Sequence, residues 1–449
     1  MTSVKPPLQP PVETPRAYRD LGPELVVPPP GPSSRTWLTR HAHVAAPMGP
    51  APSGPPSSIV YATGRGSNVT DVDGNRYVDL AAGFGALLLG HQHPAIMRVL
   101  TLQAERLLQA LGDVYPADAK VALLERLTRL YPKPNAKGIL AQSGSDAVSA
   151  ALKTAKLATG KPGVLAFSGA YHGLGYGPLA ACGLRESYRG PFASELNPHV
   201  RFVPYPSGAK AAERSLDEIG KELGRGDVGA VLIEPVQGRS GVLPAFPGFL
   251  GTLQKLTQAA GALLIADEIW TGLGRAGSWF SAIEEGVLPD LICLGKGLGG
   301  GLPVSAVIGS EIAMLSWRRE SEVVHTSTFA GAPLAASTAI ATLDVLGKEK
   351  LPERAARLGA SYLDALKQAF SRMPRVREVR GIGLMLGIDL GEAPGAASQL
   401  MRRLLGQGYI VSTGGGQREV LVLTPPLNID EGVLLSSVDV IAAQLGELD

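Results

Sequence analysis

Asp290-Leu-Ile-Cys-Leu-Gly295-Lys296-Gly297-Leu-Gly-Gly-Gly301 sets a short apolar run directly ahead of a lysine embedded in glycines. An apolar run of that length, bounded by an aspartate and a glycine, reads as a strand buried on both faces. Upstream, Ala262-Leu-Leu-Ile-Ala-Asp267-Glu268-Ile269 has the same form with a carboxylate at its tip. Gly138–Gln142, Gly163–Phe167, Gly229–Ile233 and Ser305–Gly309 are four more such runs, and the segments between them are long enough to hold helices. Strands alternating with helices predict an α/β fold with a mostly parallel central sheet covered on both faces. In such sheets ligands bind beyond the carboxyl ends of the strands.

Working outward, residues 115–344 form the expected large domain. Residues 345–449 open with a helix, continue with strands over Gly383–Leu390 and Glu419–Leu423, and close with a helix, which suits a smaller α+β domain. Residues 57–114 contain a hairpin, Asn68-Val-Thr-Asp-Val-Asp-Gly-Asn-Arg-Tyr-Val-Asp79, turning at Asp73-Gly74. A helical pattern follows from Pro94 to about Ala110. Residues 1–56 are punctuated by proline, including Pro28-Pro29-Pro30 and Pro55-Pro56, and predict an extended, loosely packed arm.

Composition narrows the function classes. Apolar residues are 45% and charged residues 18% of the 449, with a formal net charge of +2, so nothing calls for a nucleic-acid or membrane partner. No apolar run is long enough to span a bilayer, and the N-terminus lacks the apolar core of a secretory signal. Two cysteines, Cys182 and Cys293, are too few for a disulfide framework and fit a reducing, cytoplasmic setting. The histidine pairs His41/His43 and His91/His93 have no carboxylate at metal spacing, and no metal is expected. His91 reads as structural.

Four features end or follow a predicted strand. Ser143-Gly144-Ser145 precedes a helix, where free N–H groups and the helix dipole favour a phosphate; the same residues also suit a plain N-cap. Ser168-Gly-Ala-Tyr171-His172-Gly173 offers an aromatic ring for a flat cofactor, or simply a glycine-rich turn. Asp267 at a buried strand tip needs a cation, such as a protonated pyridine nitrogen, unless it caps the next element. Lys296, once desolvated, can form an imine and shuttle a proton, whereas an isolated Gly-Lys-Gly reads as a loop. Together the four are the parts of a pyridoxal 5'-phosphate (PLP) site, which makes a carbanion sink of the pyridine ring.

The run Asp267-Glu-Ile-Trp-Thr-Gly-Leu-Gly-Arg-Ala-Gly277, followed by Gly295-Lys-Gly-Leu-Gly-Gly-Gly-Leu-Pro303, resembles the signature of class III aminotransferases, a family that includes 4-aminobutyrate, ornithine and acetylornithine aminotransferases. The resemblance extends through Asp71–Asp79, Gly90-His91, Ser143-Gly-Ser, Tyr171-His-Gly, Glu234-Pro-Val-Gln-Gly238, Ser327-Thr-Phe-Ala-Gly-Ala-Pro333 and Arg380-Gly-Ile-Gly-Leu384. It implies PLP fold type I, with a large domain and a small one built from both chain ends. It implies Lys296 as the Schiff-base lysine, Asp267 at the pyridine nitrogen, Tyr171 and Ile269 on the two ring faces, and Ser143, Gly144 and Ser145 at the phosphate. His172 and Glu234 join the cofactor-binding set. Thr328 matches a threonine that reaches the phosphate of the other subunit, so a homodimer with shared active sites is implied.

Departures from the family pattern bear on substrate. Trp270 stands where 4-aminobutyrate-type enzymes often carry glutamine, and indole donates a hydrogen bond but accepts none. Arg239 occupies the place of a glutamate that many members pair with an arginine; that arginine's place is Val422, unless Arg418 substitutes. Loss of both partners together is coherent, because one alone would be a buried unpaired charge. Phe84, Arg239 and Trp270 are the candidate substrate residues. The implied activity is ping-pong transfer of an amino group from an amine or amino acid, an ω- or primary amine, to a 2-oxo acid or other carbonyl acceptor. The alternative within the family is a racemase, epimerase or aminomutase.

Overall fold

The computed structural model describes residues 20–47, 58–318, 322–391 and 394–447. The central sheet has seven strands: β1 (Lys137–Ala141), β2 (Gly163–Phe167), β3 (Val200–Val203), β4 (Val228–Ile233), β5 (Leu263–Asp267), β6 (Leu291–Leu294) and β7 (Ser305–Gly309). Their order across the sheet is β1-β7-β6-β5-β4-β2-β3. Only β7 is reversed, antiparallel to both β6 and β1. The Lys296 turn that joins β6 to β7 is too short for the crossover a parallel strand requires. The six strands read from sequence are all present. Strand β3 was not read, because Val200-Arg201-Phe202-Val203 lies at the sheet edge, where Arg201 is paired with Asp227 rather than buried in an apolar run.

Strand residues alternate between two apolar layers. Val164, Ala166, Leu232, Ile265 and Cys293 pack with Val148 and Ala151 of the helix Gly144–Thr159. Leu165, Phe167, Val231, Ile233 and Leu264 pack with Ile219 of Ala209–Leu223 and Leu253 of Phe249–Ala259 on the opposite face. Both faces being covered is why these strands read as continuous apolar runs.

Two four-stranded sheets stand beside the large one. In the first, Tyr61–Arg65, Asn68–Asp71 and Arg76–Asp79 are joined by Tyr409–Ile410, with Tyr409 parallel and opposite Val78, so the two ends of the chain share a sheet. The second contains Glu378–Ile382, Met385–Asp389, Val420–Leu423 and Ser412–Gly414. The strand expected over Gly383–Leu390 is present as Met385–Asp389, and it is the return arm of a hairpin whose first arm, Glu378–Ile382, was not read. Gly383, at φ +55°, makes the turn, and pairing resumes at Met385 opposite Ile382.

The expected extended arm is corrected in part. Pro32–Val44 is a helix, started by proline at a position whose fixed φ suits the first turn. Its capping residue, Gly31, has no side chain, and Asp73 from the hairpin turn substitutes by accepting the N–H groups of Ser33 and Ser34 at 2.7 and 2.8 Å. Leu21, Val26 and Val27 are tied by backbone N–H groups to Asn68 and Asn75, so this segment lies on its own chain's hairpin. Residues 1–19 and 48–57, including Pro55-Pro56, lie outside the described residues. Among the described residues no helix is long and apolar enough to cross a membrane, and no group of three His, Cys, Asp or Glu is set to hold a metal ion.

Candidate active site

Strands β5 and β6 are parallel neighbours, with Asp267 opposite Cys293, so their carboxyl ends deliver Asp267 and Lys296 to the same rim. Asp267 is 4% exposed. One of its oxygens meets His172 Nδ1 at 2.7 Å and the other accepts the Ile269 N–H at 3.1 Å. Burial alone would pull His172 down, but its hydrogen bond to Asp267 and the charges of Asp267 and Glu234 outweigh this and raise it. The other ring nitrogen of His172, Nε2, is buried without a partner. Glu234 closes the cluster by accepting the N–H groups of Tyr171 at 2.8 Å and Gly238 at 3.2 Å. Its burial pushes the carboxyl up to about 7.

Lys296 sits at φ +41° in a tight turn, Lys296–Gly299, directly after β6. Its Nζ lies 3.8 Å from the centroid of the Trp270 ring. Desolvation lowers the amine to about 7; Asp267 and Glu234 oppose the shift, and Arg239 and Arg275 add to it. A neutral amine beside a buried carboxylate is a nucleophile that can also carry a proton.

The helix Gly144–Thr159 is capped by Ser143, whose Oγ accepts the Asp146 N–H at 3.2 Å, so the plain-cap reading of this motif also holds. The amides of Gly144 and Ser145 in its first turn have no helical acceptor. A Cβ on Gly144 would come within 2.9 Å of Ile269 Cδ1, and one on Gly173 within 2.7 Å of Ser145 Cβ. The two glycines therefore let Ile269 and the 173 loop pack closely against the start of this helix. Ser145 Oγ accepts the Gly175 N–H at 3.1 Å. Helix-terminal donors, an apolar floor at Ile269, a buried carboxylate and a buried lysine amine fit a phosphorylated pyridine aldehyde.

The remaining candidates are distributed around this centre. Tyr171 is half-buried, and the Arg239 guanidinium stands 5.7 Å from its ring centroid. Trp270, 6% exposed, packs with Val236, Val242, Met385, Val420 and Val422. Val422 is thus part of an apolar wall, and Arg418 is on an exposed turn. Gly414 lies between the Val422 side chain and the Arg239 carbonyl, so the two departures from the family pattern are neighbours in space. Phe84 is 58% exposed at φ +58°. Thr328 is exposed and is held by its carbonyl, which accepts Gln109 Nε2 at 3.0 Å. His91 meets Asp79 at 2.9 Å, a structural pairing as read.

Some features had no signal in the sequence. The His172–Asp267 pair joins residues 95 positions apart. Ser305 Oγ donates to the Ser143 carbonyl at 2.6 Å across 162 positions, bracing the helix start from the reversed strand. Gly85 and Gly238 bracket the Trp270 indole, each too close to it to carry a side chain without a shift.

Residues 50–445 match the family model "Aminotransferase class-III". The acetylornithine aminotransferase of Methanothermobacter thermautotrophicus is 35% identical over 392 residues, covering 87% of this chain and 94% of that protein. Among solved structures, the ornithine aminotransferase of Toxoplasma gondii superposes with a TM-score of 0.82 at 27% identity, covering 91% of this chain and 93% of that one. An amine transaminase from an uncultivated Pseudomonas species gives 0.81 at 27% identity, with 90% and 98% covered. The chain belongs to the class III aminotransferases. No finding favours the racemase, epimerase or aminomutase alternative.

Proposed function

We propose that this class III aminotransferase holds PLP at Lys296 and moves an amino group from an ω- or primary amine to a 2-oxo acid or other carbonyl acceptor in two half-reactions. The observation that carries the reading is the juxtaposition of Lys296, lowered to about 7 by burial, with the buried Asp267–His172 pair on adjacent strand ends. When bound, PLP supplies an electron-poor ring that stabilises negative charge at the substrate carbon.

Each residue then has a task. Lys296 would hold the aldehyde through its Nζ, and the same amine, lowered to about 7 by burial, would take and return a proton at the substrate carbon. Asp267 would pair with the protonated pyridine nitrogen, and His172 and Glu234 hold Asp267 and Tyr171 in place. Ser143, Gly144 and Ser145 would hold the phosphate, and Tyr171 and Ile269 would hold the ring. Arg239, with no ion-pair partner given by the described residues, receives a substrate carboxylate.

A homodimer completes the reading. Leu107, Leu108, Leu111, Val114 and Tyr115 form an exposed apolar loop, and Gln109 of that loop holds Thr328. A second copy covering this loop would carry Thr328 toward the partner's phosphate site. Two buried free cysteines suit a reducing, cytoplasmic setting. The test is absorbance: the wild-type protein with PLP gains a visible band that an added amine bleaches, and Lys296→Ala abolishes it. An unchanged band in Lys296→Ala would rule out the assignment.

A further inference from the structure

Gly414-Gly415-Gly416 sets three glycines in a row beside Arg239. Such a segment has no side chain to pack and loses the most backbone freedom on folding, so something outside it must hold its shape. Close packing explains why nothing larger stands there. A Cβ on Gly414 would lie 3.0 Å from Val422 Cγ2 and 3.1 Å from the Arg239 carbonyl oxygen. Gly415, at φ +90°, would set one 2.4 Å from the carboxyl carbon of Glu419.

Arg185 supplies the hold. Its Nε donates to the Gly416 carbonyl at 2.9 Å and its Nη2 to the Gly415 carbonyl at 3.0 Å, across 231 and 230 positions. The planar guanidinium fork suits two successive carbonyls. Neighbouring Glu186 pairs with Arg189 instead, and Arg185 makes no ion pair among the described residues. The base of Arg185 is itself fixed. The Gly169 N–H donates to the Gly183 carbonyl at 3.1 Å and the Leu184 N–H to the Ala170 carbonyl at 3.0 Å, which lays residues 183–184 along the loop that carries Tyr171.

On its other side the glycine loop meets Arg239, whose carbonyl accepts the Gly415 N–H at 2.8 Å. Ser240 Oγ, donating to the Gly169 carbonyl at 2.6 Å, and Glu234, accepting the Gly238 N–H, brace the rest of that turn. A second connection runs through aromatic rings. The Arg185 guanidinium lies 5.9 Å from the Tyr188 ring, Tyr188 stands edge-on to Tyr171 at 6.3 Å, and Arg239 stands 5.7 Å from Tyr171. Arg185 therefore connects to Arg239 by two routes, the glycine loop and the tyrosine pair. We infer that Arg185 is a positioning residue for the substrate carboxylate: it holds the Gly414–Gly416 loop against the Arg239 turn and so fixes the guanidinium that the carboxylate meets. This rests on the carboxylate reading of Arg239 and names the residue that sets its place.

The test loads the full chain with pyridoxamine phosphate and follows the cofactor band with pyruvate and with propanal, acceptors with and without a carboxylate. In Arg185→Ala the half-saturating pyruvate concentration rises about tenfold, within the roughly hundredfold that about 1 Å of misplacement can cost, while the limiting rate and the propanal reaction stay within about twofold. Arg185→Lys keeps the charge but not the fork, and gives the same loss. In an Arg239→Ala background, Arg185→Ala adds nothing further, because residues that act through one another are not additive. A wild-type response in Arg185→Lys would make Arg185 a plain charge and overturn the inference. Additive losses overturn it too, as do equal losses for both acceptors, which would mark general destabilisation. An unchanged pyruvate response in Arg239→Ala would sink the carboxylate reading, and the inference with it.

Discussion

Asp267→Asn tests the centre of the site most directly, because it keeps the side chain's volume and removes its charge. The carboxylate meets His172 Nδ1 at 2.7 Å and the Ile269 N–H at 3.1 Å, with 4% of the residue exposed. A hydrogen bond to a charged group is worth about 1.5–3 kcal/mol, so the apoprotein should lose about that much stability at neutral pH. His172 is held above its ordinary value. Its contribution is fully present below the unfolded histidine value and is lost as pH rises through the folded one. The wild-type advantage in Tm over Asp267→Asn should therefore be larger at pH 6 than at pH 9. With cofactor bound, the variant leaves the pyridine nitrogen facing a neutral amide. Removing one partner of a buried ion pair costs about 3–5 kcal/mol, or about 10²–10⁴ in the rate of the amine half-reaction. Single-turnover bleaching of the cofactor band measures that rate. A loss below about threefold, or a Tm difference independent of pH, would refute the reasoning.

Further outcomes follow from the same geometry. Gly144→Ala places a methyl group 2.9 Å from Ile269 Cδ1, and overpacking of about 1–3 kcal/mol should weaken PLP about 5- to 150-fold by fluorescence titration; unchanged affinity would show that Ile269 yields freely. Lys296, lowered to about 7, is neutral above that pH, so PLP uptake by the apoprotein should rise with pH and level off just above 7, and a rise continuing toward 10 would contradict the burial argument. The same shift makes stability increase with pH between about 7 and the ordinary lysine range, since the unfolded chain holds more protons there. Arg239→Ala should raise KM for a 2-oxo acid about tenfold to a hundredfold while leaving an acceptor without a carboxylate nearly unaffected; equal effects on both would count against the carboxylate role.

The sequence by itself determined the centre of this protein. Strands buried on both faces must be continuously apolar, so six of seven central strands were legible, as were Asp267 and Lys296 at their tips. Edge strand β3 was not, because an edge tolerates a charge such as Arg201 that a central strand would not. The helix Pro32–Val44 was hidden because its cap, Asp73, lies about forty residues away and proline-rich composition predicts extension. Only the tertiary structure decided what surrounds the lysine. The His172–Asp267 contact, the Ser305 brace and the glycines bracketing Trp270 all join residues distant in the chain. Local pattern reports which faces are buried; it does not report which side chains meet, and the chemistry of this site depends on those meetings.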